Sequence, residues 1–411
     1  MDFGETILRQ AEILGAITEE PGRLTRTYLT PQHREAGERI LGWMREAGMD
    51  ARFDALGNVV GRYARDPDAP VLLTGSHMDS VVDAGRYDGL FGVLSPIACV
   101  KALNARGVRL PYTFEVVAFG DEEGVRFGVS MIGSRALAGR FDYSALDKRD
   151  ANGVTMRDAL IAFGGEPAAI GALKRDRIAA YVESHIEQGP VLLNEGLPVG
   201  VVTSIAGGSR VRVRVEGLAG HAGTVPMPGR QDALAAASEM VLAVEGFCAQ
   251  RPESLVGTVG KLAVVGGGAI NVIPGAVEFT IDLRSADDAT RIAALGMLES
   301  ECRKIAVRRR VAIAWDPFFE LSAAPCDPRL QAQWARSIEA LGVNARHLPS
   351  GAGHDAMEFA QVAPIAMLFV RCGNGGISHN PLETLSAQDA DLATRVFLHF
   401  LEHFDPLSVV S

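Results

Sequence analysis

Positive charge is in short supply in this chain of 411 residues, and the shortage excludes several classes of partner. The chain has 40 Lys and Arg residues against 50 Asp and Glu residues, which gives a net charge of −10 at pH 7. Nucleic acids and anionic membrane surfaces attract proteins through cationic side chains. The sequence therefore predicts no nucleic-acid partner and no membrane partner, and it favours a small-molecule ligand.

Long hydrophobic runs and a signal peptide are also missing. The N-terminal segment MDFGETILRQ has neither a basic region nor a long apolar stretch, so it does not resemble a secretory signal. The apolar run LFGVLSPIACV is short and contains a proline, which makes it unsuitable for crossing a membrane. These absences predict a cytoplasmic protein.

Cysteine is scarce, and its distribution follows no binding pattern. The cysteines are Cys99, Cys248, Cys302, Cys326 and Cys372. Their number is odd and no two have CxxC spacing, so the sequence predicts unpaired thiols in a reducing compartment. A thiolate zinc site and a catalytic cysteine are both disfavoured.

The chain is long enough for two domains, and its first part shows an α/β pattern. Residues 5–48 have helical periodicity, and the segments 50–54 and 58–63 predict a hairpin. A short apolar strand at 71–75 precedes a helical stretch, 89–104, and a second strand is predicted at Tyr112 to Gly120. Strands that alternate with helices and end in polar residues are typical of an α/β sheet with a site in its crevice.

Between about residues 206 and 322 the pattern changes to β-α-β-β-α-β. The segments are the alternating run VRVRVEG, a helix at 231–249, strands at 257–265 and 276–284, a helix at 288–305 and a strand at 311–315. This order predicts a ferredoxin-like sandwich. The α/β pattern resumes with a helix at 327–341 and a strand at 364–369, so domain 206–322 is inserted into a domain made of 1–205 and 323–411.

Histidine and carboxylate side chains gather in five short fragments. They are Gly75–Ser80, Arg86–Gly89, Gly120–Gly124, Glu183–Pro190 and Ile377–Pro381. Imidazole and carboxylate ligands without sulfur suit Zn²⁺, Mn²⁺ or Co²⁺. A single fragment is weak evidence because a lone histidine is as often structural, but the five together predict a metal site.

The chain resembles the hydantoinase/carbamoylase-type amidases, a branch of the aminoacylase and carboxypeptidase-G-like metallopeptidase superfamily. The motifs that carry the resemblance are GSHMDSVVDAGRYDG, DEEGVRF, HIEQGP, AGHAGTVPM, NVIPGAVEFTIDLR, SGAGHDA and GISHNP, in the family's order. The resemblance implies a two-domain α/β protein. Its metallopeptidase-like catalytic domain would carry an inserted ferredoxin-like (βαββαβ) lid and dimerisation domain, and the protein would be a homodimer.

The resemblance also implies two divalent metal ions per subunit, Zn²⁺, Mn²⁺ or Co²⁺. Asp88 would bridge the two ions. His77 and His185 would complete one site, and Glu123 and His379 would complete the other. A shared carboxylate is physically reasonable because it softens the repulsion between two neighbouring cations.

Catalytic roles follow from the same resemblance. Glu122 would act as the general base that moves a proton from water to the leaving nitrogen. Asp79, two residues after His77, would accept a hydrogen bond from that imidazole and fix its tautomer, although an aspartate here could instead cap its own loop. Asp121 matches no role.

Substrate contacts are implied in both domains. In the inserted domain, His221 would stabilise the oxyanion, and Asn271 and Arg284 would hold the substrate carboxylate, for which the planar guanidinium is suited. Gln188 could bind the ureido amide or hold the turn before Gly189. The loop that contains Gly353 and His354 would offer backbone donors and a further substrate contact.

The implied reaction is hydrolysis of a ureido or carbamoyl C–N bond in a small carboxylate substrate. Peptidase relatives have a carboxylate where this chain has His185, which favours the carbamoyl-cleaving branch. Allantoate is the preferred substrate, with N-carbamoyl-L-amino acids and N-carbamoyl-β-alanine as alternatives. An aminoacylase or dipeptidase would share the metal site, whereas a non-catalytic binding protein on this fold would have lost Glu122 or some of the ligands.

Overall fold

The protein is described by a computed structural model that covers residues 2–64, 66 and 68–406. The chain forms two compact units. The first consists of Met1–Thr203, Cys326–Leu348 and His354–Ser411, and the second of Ser204–Pro325 and Pro349–Gly353. Of the predicted domain made of 1–205 and 323–411, Met1, Arg65, Pro67 and residues 407–411 lie outside the described residues.

Strands and helices both occur along the full length of the described residues. The strands are β1 (Asp50–Phe53), β2 (Val59–Tyr63), β3 (Val71–His77), β4 (Thr113–Phe119), β5 (Ile178–Ile186), β6 (Val199–Ile205), β7 (Gly207–Glu216), β8 (Gly220–His221), β9 (Val256–Val264), β10 (Val272–Ile273), β11 (Ala276–Ser285), β12 (Ala312–Leu321), β13 (Ala324–Pro325), β14 (His347–Ser350) and β15 (Ile365–Val370). The helices are α1 (Phe3–Gly15), α2 (Pro31–Glu46), α3 (Leu90–Ala105), α4 (Ile132–Leu137), α5 (Met156–Phe163), α6 (Val191–Glu195), α7 (Ala233–Ala249), α8 (Asp288–Arg309), α9 (Pro328–Glu339), α10 (Ala356–Phe359) and α11 (Ala387–His403). Short 3₁₀ helices lie at Tyr143–Asp147, Pro167–Leu173 and Asn374–Gly376.

The first unit is built on one mixed sheet in the order β1-β2-β4-β3-β5-β15-β6. Its four central strands, β4, β3, β5 and β15, run parallel. Every residue of β3 and β4 is buried, as expected for parallel strands covered on both faces. Because the carboxyl ends of parallel strands meet at one edge, the residues that end these strands lie close together there.

Helix α3 connects β3 to β4 and lies almost entirely in the core. It is apolar on all sides, which is typical of a buried helix. The residue before it, Gly89, has φ +68°, and a Cβ atom there would lie 2.5 Å from the carbonyl oxygen of His77 and 2.6 Å from its ring. Glycine is therefore required for Asp88, which precedes it, to lie beside His77.

The second unit is a four-stranded antiparallel sheet in the order β12-β7-β11-β9 with two helices. Side chains alternate along β7, with Val211, Val213 and Val215 buried. These valines form one core with residues of α7 and α8, such as Met240 and Leu298. Apart from the two-residue strands β8, β10 and β13, the order of elements along this unit is β-α-β-β-α-β.

The α/β class, the hairpin of β1 and β2, and the other strands and helices predicted above are confirmed to within a few residues, with two exceptions. The helical region predicted for residues 5–48 is interrupted between Gly15 and Pro31. Pro21 and Gly22 disfavour a helix in this interval, and Thr30 caps the new helix by accepting a hydrogen bond from the backbone of His33. The strand predicted at 311–315 extends to Leu321.

All five cysteines are buried and free of disulfides. Within the described residues, every helix is too short or too polar to cross a membrane.

Candidate metal centre

Asp88 lies at the centre of a cluster of polar side chains at the carboxyl edge of the sheet. Its Oδ1 atom is 3.6 Å from His77 Nε2 and 3.3 Å from His185 Nε2. Its Oδ2 atom is 3.1 Å from His379 Nε2, which is also 3.4 Å from Glu123 Oε1. The two oxygens of one carboxylate thus face two different groups of donors.

This donor set fits two divalent cations. Ligand atoms that bind a tetrahedral ion at ~2.0–2.1 Å are about 3.3 Å apart, which is close to the separations around Asp88. The donors are nitrogen and oxygen without sulfur, a set that suits Zn²⁺, Mn²⁺ or Co²⁺. The structure therefore brings all five residues predicted as metal ligands together in two groups that could each hold an ion.

The charge balance of the site also fits cations. Burial raises the pKa of Glu123 to about 7, and it raises the pKa of Asp355 to about 7. Burial, reinforced by the charge of Asp355, raises the pKa of Glu183 to about 8. Burial likewise raises the pKa of Glu122 and Asp121 well above the usual range. So many buried carboxyl groups can ionise together only if positive charge is nearby.

Each predicted ligand comes from the end of a strand or from the loop that follows it. His77 is the last residue of β3, and His185 is the last but one of β5. Left-handed backbone occurs at three non-glycine residues of the site, with φ +62° at Asp121, +55° at Gln188 and +52° at His379. Such conformations cost about 1–3 kcal/mol each and concentrate at functional sites.

Asp79 connects the His77 ring to the loop of the two glutamates. Its carboxylate accepts hydrogen bonds from the backbone N–H groups of Glu122 (3.1 Å) and Glu123 (3.2 Å). The His77 Nδ1 atom lies 3.1 Å from the Asp79 backbone carbonyl oxygen and 3.7 Å from its Oδ1. Ligand atoms of His77, Glu122 and Glu123 lie within 4.8 Å of one another. Through its two backbone hydrogen bonds, Asp79 fixes the main chain of Glu122, the predicted general base, close to His77.

Gln188 and His354 both lie against the Asp88 cluster. The Gln188 Nε2 atom donates to Asp88 Oδ1 at 3.0 Å and to Ser378 Oγ at 3.3 Å. The His354 ring is buried, with its centroid 4.5 Å from that of His185, and burial lowers its pKa well below the usual value. The structure thus places the His354 ring in contact with the ring of His185, a predicted metal ligand.

The other predicted substrate residues belong to the second unit. His221 and Asn271 are exposed neighbours, because β8 and β10 pair and the Ala222 N–H donates to the Asn271 carbonyl oxygen at 2.9 Å. The Arg284 guanidinium pairs with Asp282, with Nε 2.8 Å from Oδ1, and it donates to the Gly351 carbonyl oxygen at 3.1 Å. Gly353 is the last residue of this unit. Part of the hydrogen-bonding capacity of Arg284 is therefore already used within its own unit.

Glu383 belongs to this cluster and was not singled out in the sequence. Its Oε1 atom accepts hydrogen bonds from the backbone N–H groups of Tyr87 (2.8 Å) and Asp88 (3.2 Å), and its Oε2 atom accepts one from Ser378 Oγ (2.7 Å). The only signal in the sequence is its position four residues after His379. A glutamate at that distance has no specific meaning without a structure.

An α/β sheet with histidine and carboxylate donors at the carboxyl ends of its parallel strands is typical of metal-dependent hydrolases. Residues 73–403 match peptidase family M20/M25/M40. The chain belongs to this family, and the mixed α/β metallopeptidase fold of the catalytic domain is confirmed.

Three individual relatives show which kinds of enzyme within the family are similar to this chain. The chain is 40% identical over 400 residues to the N-carbamoyl-L-amino acid amidohydrolase of Geobacillus stearothermophilus, covering 96% of this chain and 97% of the relative. It is 39% identical over 439 residues to the allantoate deiminase of Arabidopsis thaliana, covering 98% and 83%. A hydantoinase/carbamoylase family amidase from Burkholderia multivorans has a similar crystal structure, with a TM-score of 0.90, 35% identity and 97% of each chain covered. The predicted resemblance to the hydantoinase/carbamoylase-type amidases is confirmed, and the chain is a hydrolase that acts on carbon–nitrogen bonds.

Proposed function

We propose that this enzyme is a metal-dependent amidohydrolase that cleaves the ureido or carbamoyl C–N bond of a small carboxylate. The observation that carries the proposal is the Asp88 carboxylate, which offers one oxygen to His77 and His185 and the other to Glu123 and His379. Allantoate is the proposed substrate, and N-carbamoyl-L-amino acids are the second candidate. Relatives with both activities in their names are about equally similar to this chain.

Two divalent ions, Zn²⁺, Mn²⁺ or Co²⁺, would be held by these five residues. When bound, they supply Lewis acidity toward the carbonyl oxygen and make water a nucleophile at neutral pH. Glu122 takes a proton from the attacking water and delivers it to the leaving nitrogen. The raised pKa of the buried Glu122 suits the second half of that task. Asp79 keeps Glu122 in place through its backbone N–H.

We propose substrate-binding roles for the residues that the family resemblance implied. Arg284 and Asn271 hold the carboxylate, and His221 stabilises the developing oxyanion. The support is the family resemblance together with the exposed positions of His221, which ends β8, and of Asn271, which directly precedes the paired strand β10. Gln188, Gly353 and His354 are proposed as further substrate contacts.

Replacing Arg284 with lysine is expected to lower kcat/KM for carboxylate substrates by about 10- to 100-fold, because an ammonium group cannot replace a bidentate fork. Steady-state kinetics with allantoate would measure the loss. Arg210→Lys is the matched control, since Arg210 also pairs with Asp282 from a neighbouring strand, at 3.0 Å. Equal effects of the two substitutions would contradict the carboxylate-binding role of Arg284.

A comparison of substrates tests the function itself. Enzyme reconstituted separately with Mn²⁺, Zn²⁺ and Co²⁺ is assayed on allantoate, an N-carbamoyl-L-amino acid, N-carbamoyl-β-alanine and a dipeptide. We expect the highest kcat/KM for allantoate. A higher value for the N-carbamoyl-L-amino acid would assign the second candidate, and a preference for the dipeptide would overturn the proposal.

We propose that the enzyme is a cytoplasmic homodimer joined through residues 206–322, with His221 of one subunit completing the site of the other. The support for the cytoplasmic location is the five free thiols, which suit a reducing compartment. The support for the dimer is the family resemblance and the separate four-stranded unit that residues 204–325 form.

Mixing two inactive variants tests the shared site. His77→Ala and His221→Ala are each expected to be nearly inactive. After random reassociation about half of the dimers are mixed, and each has one intact site, so roughly a quarter of wild-type activity should return. If native mass spectrometry shows mixed dimers without recovered activity, His221 acts within its own subunit.

A further inference from the structure

Four residues form a closed ring of hydrogen bonds, which we call the Asp88 ring. Its members are Asp88, Gln188, Ser378 and Glu383. Glu383 accepts from the Asp88 backbone N–H through Oε1 and from the Ser378 hydroxyl through Oε2. Gln188 closes the ring, because its Nε2 atom donates to both Ser378 Oγ and Asp88 Oδ1. Asp88 is therefore held by its main chain on one side and its carboxylate on the other.

Within this ring, Glu383 joins two loops that are distant in the sequence. Glu383 is 295 residues from Asp88, and its carboxylate also accepts from the Tyr87 N–H. The loop before Asp88 is folded closely around this carboxylate, since a Cβ atom on Gly85 would lie 2.2 Å from the Glu383 Cδ atom. Glu383 is only 5% exposed, so water cannot easily replace these contacts.

The second loop contains His379, whose geometry needs support. Its backbone is left-handed, with φ +52°, and its side chain is 49% exposed. Packing alone therefore does little to fix the ring of His379. The residue before it, Ser378, is tied to Glu383 at 2.7 Å, and the Glu383 N–H donates to the Asn380 carbonyl oxygen at 3.0 Å. Glu383 thus holds the loop on both sides of His379.

We propose that Glu383 is a positioning residue that sets Asp88 and His379 at the spacing needed to hold a pair of divalent ions, with Ser378 as its link to His379. The inference rests on the proposed metal-dependent function. Residues that orient metal ligands typically affect metal affinity or activity by about 10–100-fold. Glu383 does so for two ligands at once, because it binds the main chain of Asp88 directly and holds His379 through Ser378 and Asn380.

Titration of metal-free protein with Co²⁺, followed by visible absorption and calorimetry, tests the proposal without substrate. We expect Glu383→Gln to weaken Co²⁺ binding by about 10-fold or more and to change the absorption spectrum. Ser378→Ala is expected to weaken mainly the binding of one of the two Co²⁺ ions, the ion next to Glu123 and His379. It also removes very little volume, so it keeps the test valid if Glu383→Gln folds poorly.

Glu187→Gln is the matched control. Glu187 is also a buried carboxylate that accepts from two consecutive backbone N–H groups, those of Val191 (2.7 Å) and Leu192 (2.9 Å), but it lies outside the Asp88 ring. We expect this variant to keep wild-type Co²⁺ affinity and spectrum. Thermal unfolding of the metal-free variants shows how much stability each substitution removes.

The outcomes separate the two proposals. If wild-type protein binds two ions and the Glu383 and Ser378 variants bind them with unchanged affinity and spectrum, the positioning role is overturned and the proposed function stands. Equal weakening by Glu383→Gln and Glu187→Gln would also overturn it, because loss of stability would explain both. Wild-type protein that binds fewer than two ions would overturn the proposed metal pair and the positioning role together.

Discussion

Substitution of Glu122 by glutamine is expected to lower kcat by about 10²- to 10⁴-fold while metal binding stays intact. The amide keeps the shape of the side chain but cannot take a proton from water. The backbone of residue 122 is held by Asp79 at 3.1 Å, a contact that does not depend on the side chain. The loss should therefore appear in kcat and in kcat/KM to the same degree.

Glu123→Gln provides the contrast for this prediction. The Glu123 carboxylate faces His379 at 3.4 Å, so its replacement is expected to reduce the number of bound ions as well as turnover. Metal content after dialysis, measured by atomic emission, distinguishes the two variants. If Glu122→Gln loses metal as Glu123→Gln does, then Glu122 is a ligand and the division of roles between the neighbours is wrong.

The fragments that contain the five proposed ligands could be found from residue type, whereas the family resemblance was needed to assign the individual ligands. Histidine and carboxylate at the ends of predicted strands are brought together by any parallel sheet. The strand β5, by contrast, was not predicted, although it carries His185. Its polar residues Glu183 and Ser184 interrupt the apolar pattern that marks a buried strand.

Glu383 could not be predicted because its role depends on main-chain partners. It accepts from backbone N–H groups 295 and 296 residues away, and any sequence provides such groups at every position except proline. The pairing of Arg284 with Asp282 is different. Residues two apart on a strand share a face, so this pairing could have been predicted from the sequence. Because Asp282 already occupies part of the Arg284 guanidinium, Arg284 is not entirely free to bind a substrate carboxylate.

Removal of the metal ions is expected to make the stability of the fold decrease between about pH 6.5 and pH 8. Burial raises the pKa of Glu123 and Asp355 to about 7 and that of Glu183 to about 8, whereas the unfolded chain ionises such groups near pH 4. From about pH 4 up to these pKa values the folded protein holds protons that the unfolded chain has lost, so a higher pH favours unfolding. His33 and His185, whose pKa burial lowers to about 3 and about 4, contribute only below about pH 6.5.

Bound divalent ions are expected to abolish this decrease, because cations stabilise the ionised carboxylates and compete with protons. Thermal unfolding of metal-free and Co²⁺-loaded protein, measured from pH 6 to pH 8.5, would show a falling profile for the first and a flat or rising profile for the second. Each carboxyl group that must ionise lowers the free energy of unfolding of the metal-free protein by up to about 1.4 kcal/mol per pH unit. Asp355→Asn removes one such group without removing a predicted ligand, so it should make the metal-free profile less steep. Parallel profiles with and without metal would show that these carboxyl groups do not need cations to ionise, and the electrostatic argument for a metal pair would fail.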